Sequence, residues 1–291
     1  MIKKIISAPA FWSCLLLILA EVIAFSIVPR QKTFVEVYNF PSPQVGVQFP
    51  LVYFFVAVIV IGLLLFFVPV SKLRLLLTIL FTLIFVWGIF IVFNLIFPTS
   101  ISIFISTPIA ILSGIAWFFK PKIWLHNILL LLALVSLGLV FGYLAAPWTA
   151  MLLLIIIAVY DFLAVKFGYM MWMAEKLSES DVLPAFVIPK NIRNWNLNLK
   201  KAGFKKLFED RAEKEFSLLG GGDIGFPLLL AVSILFIYGI ASGIIICAFT
   251  VIGLVGAYAA QAFLFKGKPT PGLPTIALAC LIGFLIVYFV I

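Results

Sequence analysis

Nine apolar stretches, each long enough to cross a bilayer as a helix, take up most of this chain: roughly 9–28, 50–70, 73–97, 101–119, 124–144, 148–172, 218–238, 241–263 and 271–291. A helix needs ~20 apolar residues to span the hydrocarbon core. The pattern therefore predicts an all-α, multi-pass protein of the cell membrane with nine transmembrane helices. With 65% of its 291 residues hydrophobic and 11% charged, the chain carries more apolar surface than a soluble domain of this length could bury. No stretch between the spans is long enough for a second core, so one membrane-embedded domain is expected over 1–291. It comprises six helices in about 1–173, a polar loop at 174–217 and three helices in 218–291.

A net charge of +9 in a soluble protein would suggest nucleic acid; here it reads as loop charge that orients the protein, and the expected partner is the lipid bilayer. With the amino terminus inside, all of the 20 Lys and Arg except Arg30 and Lys32 fall on one face. The amino terminus is therefore expected in the cytoplasm and the carboxyl terminus outside, which an odd number of spans satisfies. Lys3 and Lys4 precede the first span as in a signal peptide, but its length and the acid Glu21 favour a retained helix. Glu21 has no motif around it and is read as pairing within the bundle.

Several classes of chemistry are unsupported. Cys14, Cys247 and Cys280 lie in apolar segments without metal-ligand spacing and read as packing residues. His126, beside Lys120 and Lys122, reads as a solvated interfacial residue. There is no HExxH zinc motif and no GxSG nucleophile, so neither a metal nor a cofactor is expected.

Between the spans, Phe34 to Pro50 carries Pro41, Pro43 and Pro50 and is expected to be an extended loop. Gly138-x-x-x-Gly142 and Gly239-x-x-x-Gly243 are spacings that let helices touch closely. The loop at 174–217 holds a strand-like run, Phe186-Val187-Ile188-Pro189. Further on, Phe204, Leu207, Phe208, Ala212 and Phe216 repeat at helical spacing among lysines, as in an amphipathic surface helix or a solvated loop.

Two acids at depth carry the chemistry. Asp161 follows Tyr160 in the sixth span, and Asp223 follows Gly220-Gly221-Gly222 at the start of the seventh. Ionisable residues at such depth are costly and mark functional sites. Asp161 lies five residues before Lys166, about 7–8 Å along a helix, and Asp223 eight residues after Glu215, about 12 Å if helical. On consecutive antiparallel spans, the two can meet in the cytoplasmic half of the bilayer. Two carboxyl groups in a low-dielectric site share a proton, which suits amide hydrolysis: one takes a proton from the attacking water while the other protonates the carbonyl. An ion-translocating pair would look similar. Pro271-Gly272-Leu273-Pro274 opens the ninth span at the same face. Two prolines there leave backbone carbonyls without helical partners, which at depth requires a cover of protein or water.

Tyr160-Asp161, the GxGD motif Gly220-Gly221-Gly222-Asp223 and Pro271-Gly272-Leu273-Pro274 together resemble the presenilin and signal peptide peptidase family of GxGD intramembrane aspartyl proteases. Order and span numbers match, and the resemblance covers the whole chain, most strongly 155–291. Gly272 stands where that family usually has Ala. The chain is similar to compact archaeal or bacterial-type members that act without obligate partner subunits, a homo-oligomer being left open.

The resemblance implies an aspartic endopeptidase that cuts the transmembrane helices of membrane proteins, with Asp161 and Asp223 as catalytic pair. Tyr160, Gly220, Gly222, Leu218, Leu219, Pro271, Gly272, Leu273 and Pro274 would shape the site. Two alternatives stand beside it. A transporter or ion-leak channel would use the acids as a proton or cation relay. A prepilin-type peptidase also carries GxGD but fits Ile224-Gly225-Phe226-Pro227 poorly. A substrate helix must unwind before it is cut, and its freed backbone groups need replacement partners. The stretch 215–219 is expected to supply them as a strand, with Leu273 helping from the other side.

Overall fold

A computed structural model of the protein describes residues 8–37, 48–98, 100–179, 182–199, 216–265 and 270–290. The helices before the loop are α1 (Ala8–Val37), α2 (Gln48–Phe67), α3 (Val70–Ile96), α4 (Ser102–Phe119), α5 (Ile123–Leu144), α6 (Pro147–Lys166) and the short α7 (Tyr169–Glu179). Strand β1 (Ala185–Pro189), a 3-10 turn (Ile192–Asn196) and strand β2 (Phe216–Gly220) follow, then α8 (Gly221–Tyr238), α9 (Ile240–Phe263) and α10 (Leu273–Val290). Among the described residues nine helices, all but α7, are long and apolar enough to cross a membrane. The expected multi-pass, all-α fold is thus observed.

The chain forms two compact units, residues 1–51, 134–167 and 222–291 in one and 52–133 with 168–221 in the other. In the first unit, α10 packs on both α6 and α9, and α9 packs on α1. Glycines set these distances. A β-carbon added at Gly253 of α9 would lie 2.6 Å from the Ile276 Cα of α10, so the two backbones touch directly. Gly138 and Gly142 of α5 face Leu228 and Val232 of α8 in the same way, as their spacing predicts. Gly243 receives the Phe25 ring, but Gly239 is not a packing residue. It has φ +87° with nothing within 4 Å of an added β-carbon, and it makes the turn between α8 and α9.

Glu21 is buried in α1 and accepts hydrogen bonds from the Thr250 hydroxyl and the Cys247 thiol of α9, a pairing within the bundle as expected. Helix α1 continues past Pro29 to Val37, and α2 begins at Gln48, so the extended loop predicted from Phe34 is shorter than expected. Tertiary bonds explain the extension: Gln31 Nε2 donates to the Leu139 carbonyl at 3.0 Å, and Lys32 sits 5.5 Å from the Phe236 ring centre. Pro41 and Pro43 lie outside the described residues.

In the second unit α3 packs on α4 and α7, and a core of Leu65, Leu73, Ile123, Leu177, Leu183, Val187 and Leu199 holds helices and β1 together. The strands pair antiparallel, Ala185 opposite Gly220 and Pro189 opposite Phe216. The strand-like run at 186–189 is therefore a strand. Three sequence expectations need correction. The seventh span was expected to start at 218, but Leu218 to Gly220 belong to β2, because pairing with β1 holds them extended. Phe216 likewise opens β2 instead of closing an amphipathic helix; Phe204, Leu207, Phe208 and Ala212 lie outside the described residues. His126 is not solvated: its ring is fully buried between Trp117 and Phe85, and its Nε2 donates to the Ala185 carbonyl at 3.1 Å.

Candidate active site

Asp161 lies in the last turns of α6, which starts on Pro147, a residue whose fixed φ suits a first helical position. Its neighbour Tyr160 is half-buried. Asp223 lies in the first turn of α8, directly after β2, so the chain passes from strand to acid within three residues. Asp161 is 8% exposed, whereas Asp223 is half-buried.

The Pro271–Pro274 motif joins the two. The Leu273 backbone N–H donates to the Asp161 carboxyl. The residue before it, Gly272, lies against Asp223: an added β-carbon would sit 3.2 Å from Oδ1 and 3.3 Å from both Cγ and Oδ2. Consecutive Cα atoms are ~3.8 Å apart, so both carboxyl groups converge on a single dipeptide. The second Asp161 oxygen, Oδ2, is buried with no hydrogen-bond partner among the described residues.

The start of α10 explains how the dipeptide is held. Pro274 falls in the first turn, where its missing N–H costs no helical bond. The carbonyls of this motif were expected to be free, but that of Gly272 is not. It accepts the Thr275 hydroxyl at 2.8 Å and the Ile276 N–H at 3.4 Å. The motif thus offers donors and close backbone instead. The Leu273 side chain is 3% exposed, and what Leu273 gives Asp161 is its backbone N–H. Pro271, Gly272 and Pro274 are half-buried. Thr275 was not singled out from the sequence, although a hydroxyl residue in a helix commonly donates back to the carbonyl three or four residues before it, as here to Gly272.

The glycines of the other motif play different parts. Gly220 closes β2, and the Gly221 N–H donates to the Pro184 carbonyl at 3.1 Å. Gly222 is exposed, and a β-carbon there would make only ordinary contact with the Phe226 ring at 3.4 Å. Leu219 is buried and Leu218 half-buried. No group of His, Cys, Asp and Glu side chains suited to hold a metal occurs among the described residues.

Two carboxyl groups thus converge on one backbone dipeptide, on helices long and apolar enough to cross a membrane, an arrangement suited to an aspartyl hydrolase of the membrane. Comparison with known proteins agrees. A family profile described as signal-peptide peptidase, presenilin aspartyl protease matches residues 14–291, and the chain belongs to that family. It is therefore an aspartic endopeptidase of the membrane. A solved presenilin family intramembrane aspartate protease in a C222 crystal form superposes with TM-score 0.63 at 20% identity, covering 96% of this chain and 98% of that one. A second such structure, in a P2 form, gives TM-score 0.57 at 20% identity over 94% and 95%. No curated protein sequence matches the chain significantly.

Proposed function

We propose that Asp161 and Asp223 are the catalytic pair and that they hydrolyse peptide bonds within transmembrane helices of membrane-protein substrates. The observation that carries this reading is the convergence of both carboxyl groups on Gly272-Leu273. One carboxylate takes a proton from a water molecule whose oxygen attacks the scissile carbonyl carbon, while its protonated partner gives a proton to the carbonyl oxygen. The tetrahedral diol then collapses: a proton passes to the amide nitrogen, the C–N bond breaks, and an amine and a carboxylic acid leave. The pair titrates as a unit, so the two acids exchange roles through the cycle.

The substrate reaches the pair unwound. Its freed backbone groups pair with β2, the strand that runs into the GxGD turn. This is strand addition to a sheet edge, with side chains on alternate positions giving specificity. Gly222, where a β-carbon would meet only ordinary contact, leaves backbone open beside Asp223. Charge in the loops supports a cytoplasmic amino terminus, so preferred substrates have their own amino terminus outside. The chain acts without obligate partner subunits.

The test is direct. Purified protein in liposomes, given a single-span reporter, should release two fragments, and an Asp223→Ala version none. Equal cleavage by the Ala version would end the assignment.

A further inference from the structure

The edge of β1 that faces away from β2 is already taken. Asn127, 1% exposed on α5, meets Val187 with both ends of its carboxamide. Its Nδ2 donates to the Val187 carbonyl at 2.7 Å, and the Val187 N–H donates to its Oδ1 at 3.0 Å. Only one orientation of the amide satisfies both bonds. His126, the preceding residue, donates from Nε2 to the Ala185 carbonyl at 3.1 Å. Ala185 and Val187 are alternate residues, so these groups lie on one edge, and the two α5 side chains stand where a neighbouring strand would.

This fixes the phase of the ladder. In an antiparallel pair, a residue whose N–H and C=O point outward faces one whose groups also point outward, on the opposite edge. Val187 is opposite Leu218. Since Val187 spends both groups on Asn127, the Leu218 N–H and C=O point to the far edge of β2, while Phe186–Leu219 and Ile188–Ser217 make the bonds between the strands. Among the described residues no other backbone bond reaches Leu218.

We infer that Asn127 is a positioning residue for substrate: by acting as a dummy strand on β1 it closes one edge of the sheet and sets the phase that offers Leu218 on the other. This inference rests on the strand-addition reading above. A one-residue slip of β2 would turn Leu218 inward and shift the substrate register with it. Asn127 therefore governs which bond is cut as well as how tightly substrate is held.

The test uses the full-length enzyme in liposomes with a single-span reporter. Asn127→Ala should raise KM by about tenfold, the effect of losing two buried hydrogen bonds, with kcat little changed. It should also spread the cut over neighbouring bonds, read by mass spectrometry of the products. Asn127→Gln, which keeps the carboxamide, should restore a single cut position. A merely structural loss would lower the active fraction without moving the cut. Wild-type KM and one cut position in Asn127→Ala would overturn the proposal; Asn127→Ser serves in its place where the Ala protein does not fold.

Leu218→Pro, measured beside them, separates the two ideas. If it cleaves normally, strand addition itself falls; if it fails while Asn127→Ala is normal, only the role of Asn127 falls. Hydrogen exchange on the wild-type protein reads the contact independently. The Val187 amide should be protected without substrate, and free exchange there would also overturn the proposal.

Discussion

Gly272 and Asp223 meet with almost no space between them: a β-carbon on the glycine would lie 3.2 Å from the nearer carboxylate oxygen. Such a separation is tighter than most carbon contacts in proteins, yet a few tenths of an ångström of movement would relieve it. Gly272→Ala should therefore keep cleavage within about tenfold of wild type, whereas Gly272→Val, which drives the carboxyl further, should lose about a hundredfold or more. Initial rates on the reporter check this. Equal rates for the two variants would show that the glycine does not set the position of Asp223.

The acids themselves give the sharpest expectation. Asp161→Asn and Asp223→Asn keep side-chain shape but cannot share a proton, so each should abolish cleavage while expression and thermal unfolding stay near wild type. A hydroxyl-bearing transition-state mimic of the aspartyl-protease kind should inhibit cleavage by the wild-type enzyme. Substantial turnover by either Asn variant would remove that residue from the mechanism.

Strand addition predicts a particular ranking. Leu218→Pro deletes a donor that the β1–β2 ladder does not use, so it should lose cleavage while the protein still folds. Leu219→Pro deletes a ladder donor and should also destabilise the fold. Ser217→Ala changes no backbone group and should be mild. If alanine proved severe and Leu218→Pro tolerated, side-chain contacts would hold the substrate.

Orientation can be read by labelling. In a Cys-free background, cysteines at Lys205 and Lys268 should react only from the cytoplasmic side, and one at Thr33 only from outside. Labelling of position 268 from outside would place the Pro271–Pro274 motif at the wrong face for this reading.

Glu21 lies far from this chemistry in the sequence and should affect stability alone. Glu21→Ala removes the acceptor of the Cys247 thiol and one of two acceptors of the Thr250 hydroxyl, which keeps the Cys247 carbonyl at 2.8 Å, and should cost about 1 kcal/mol. Glu21→Gln keeps an acceptor and should be much milder. Thermal unfolding of the purified protein in detergent distinguishes them. Equal losses would mean that the charge, not the hydrogen bond, is what the bundle needs.

Much of this fold was legible because the bilayer imposes it: length and apolar content alone mark the spans. The acids were legible for the same reason, since a carboxyl group is conspicuous among Leu and Ile. What was hidden depended on residues distant in the chain. Leu218-Leu219-Gly220 reads equally as the start of a helix or as a strand, and only pairing with 185–187 decides it. His126 looked interfacial beside two lysines, but Phe85 and Trp117 enclose it. The first span was expected to end near 28, but α1 runs to Val37, and Gln31 beyond that point is anchored on Leu139. The Pro271–Pro274 motif was recognised, but its use of a backbone N–H toward Asp161 follows from geometry that no spacing rule encodes.

Gly253 holds a last consequence. Its missing side chain lets α9 lie directly on the backbone of Ile276, one turn beyond the dipeptide on which both acids converge. Ile276 in turn donates to the carbonyl of Gly272. The place of the Gly272-Leu273 dipeptide is thus tied, through Ile276, to the absence of a side chain on another helix. On the proposed reading of the two acids, Gly253→Ala should therefore lower cleavage from a distance, without touching either carboxyl group.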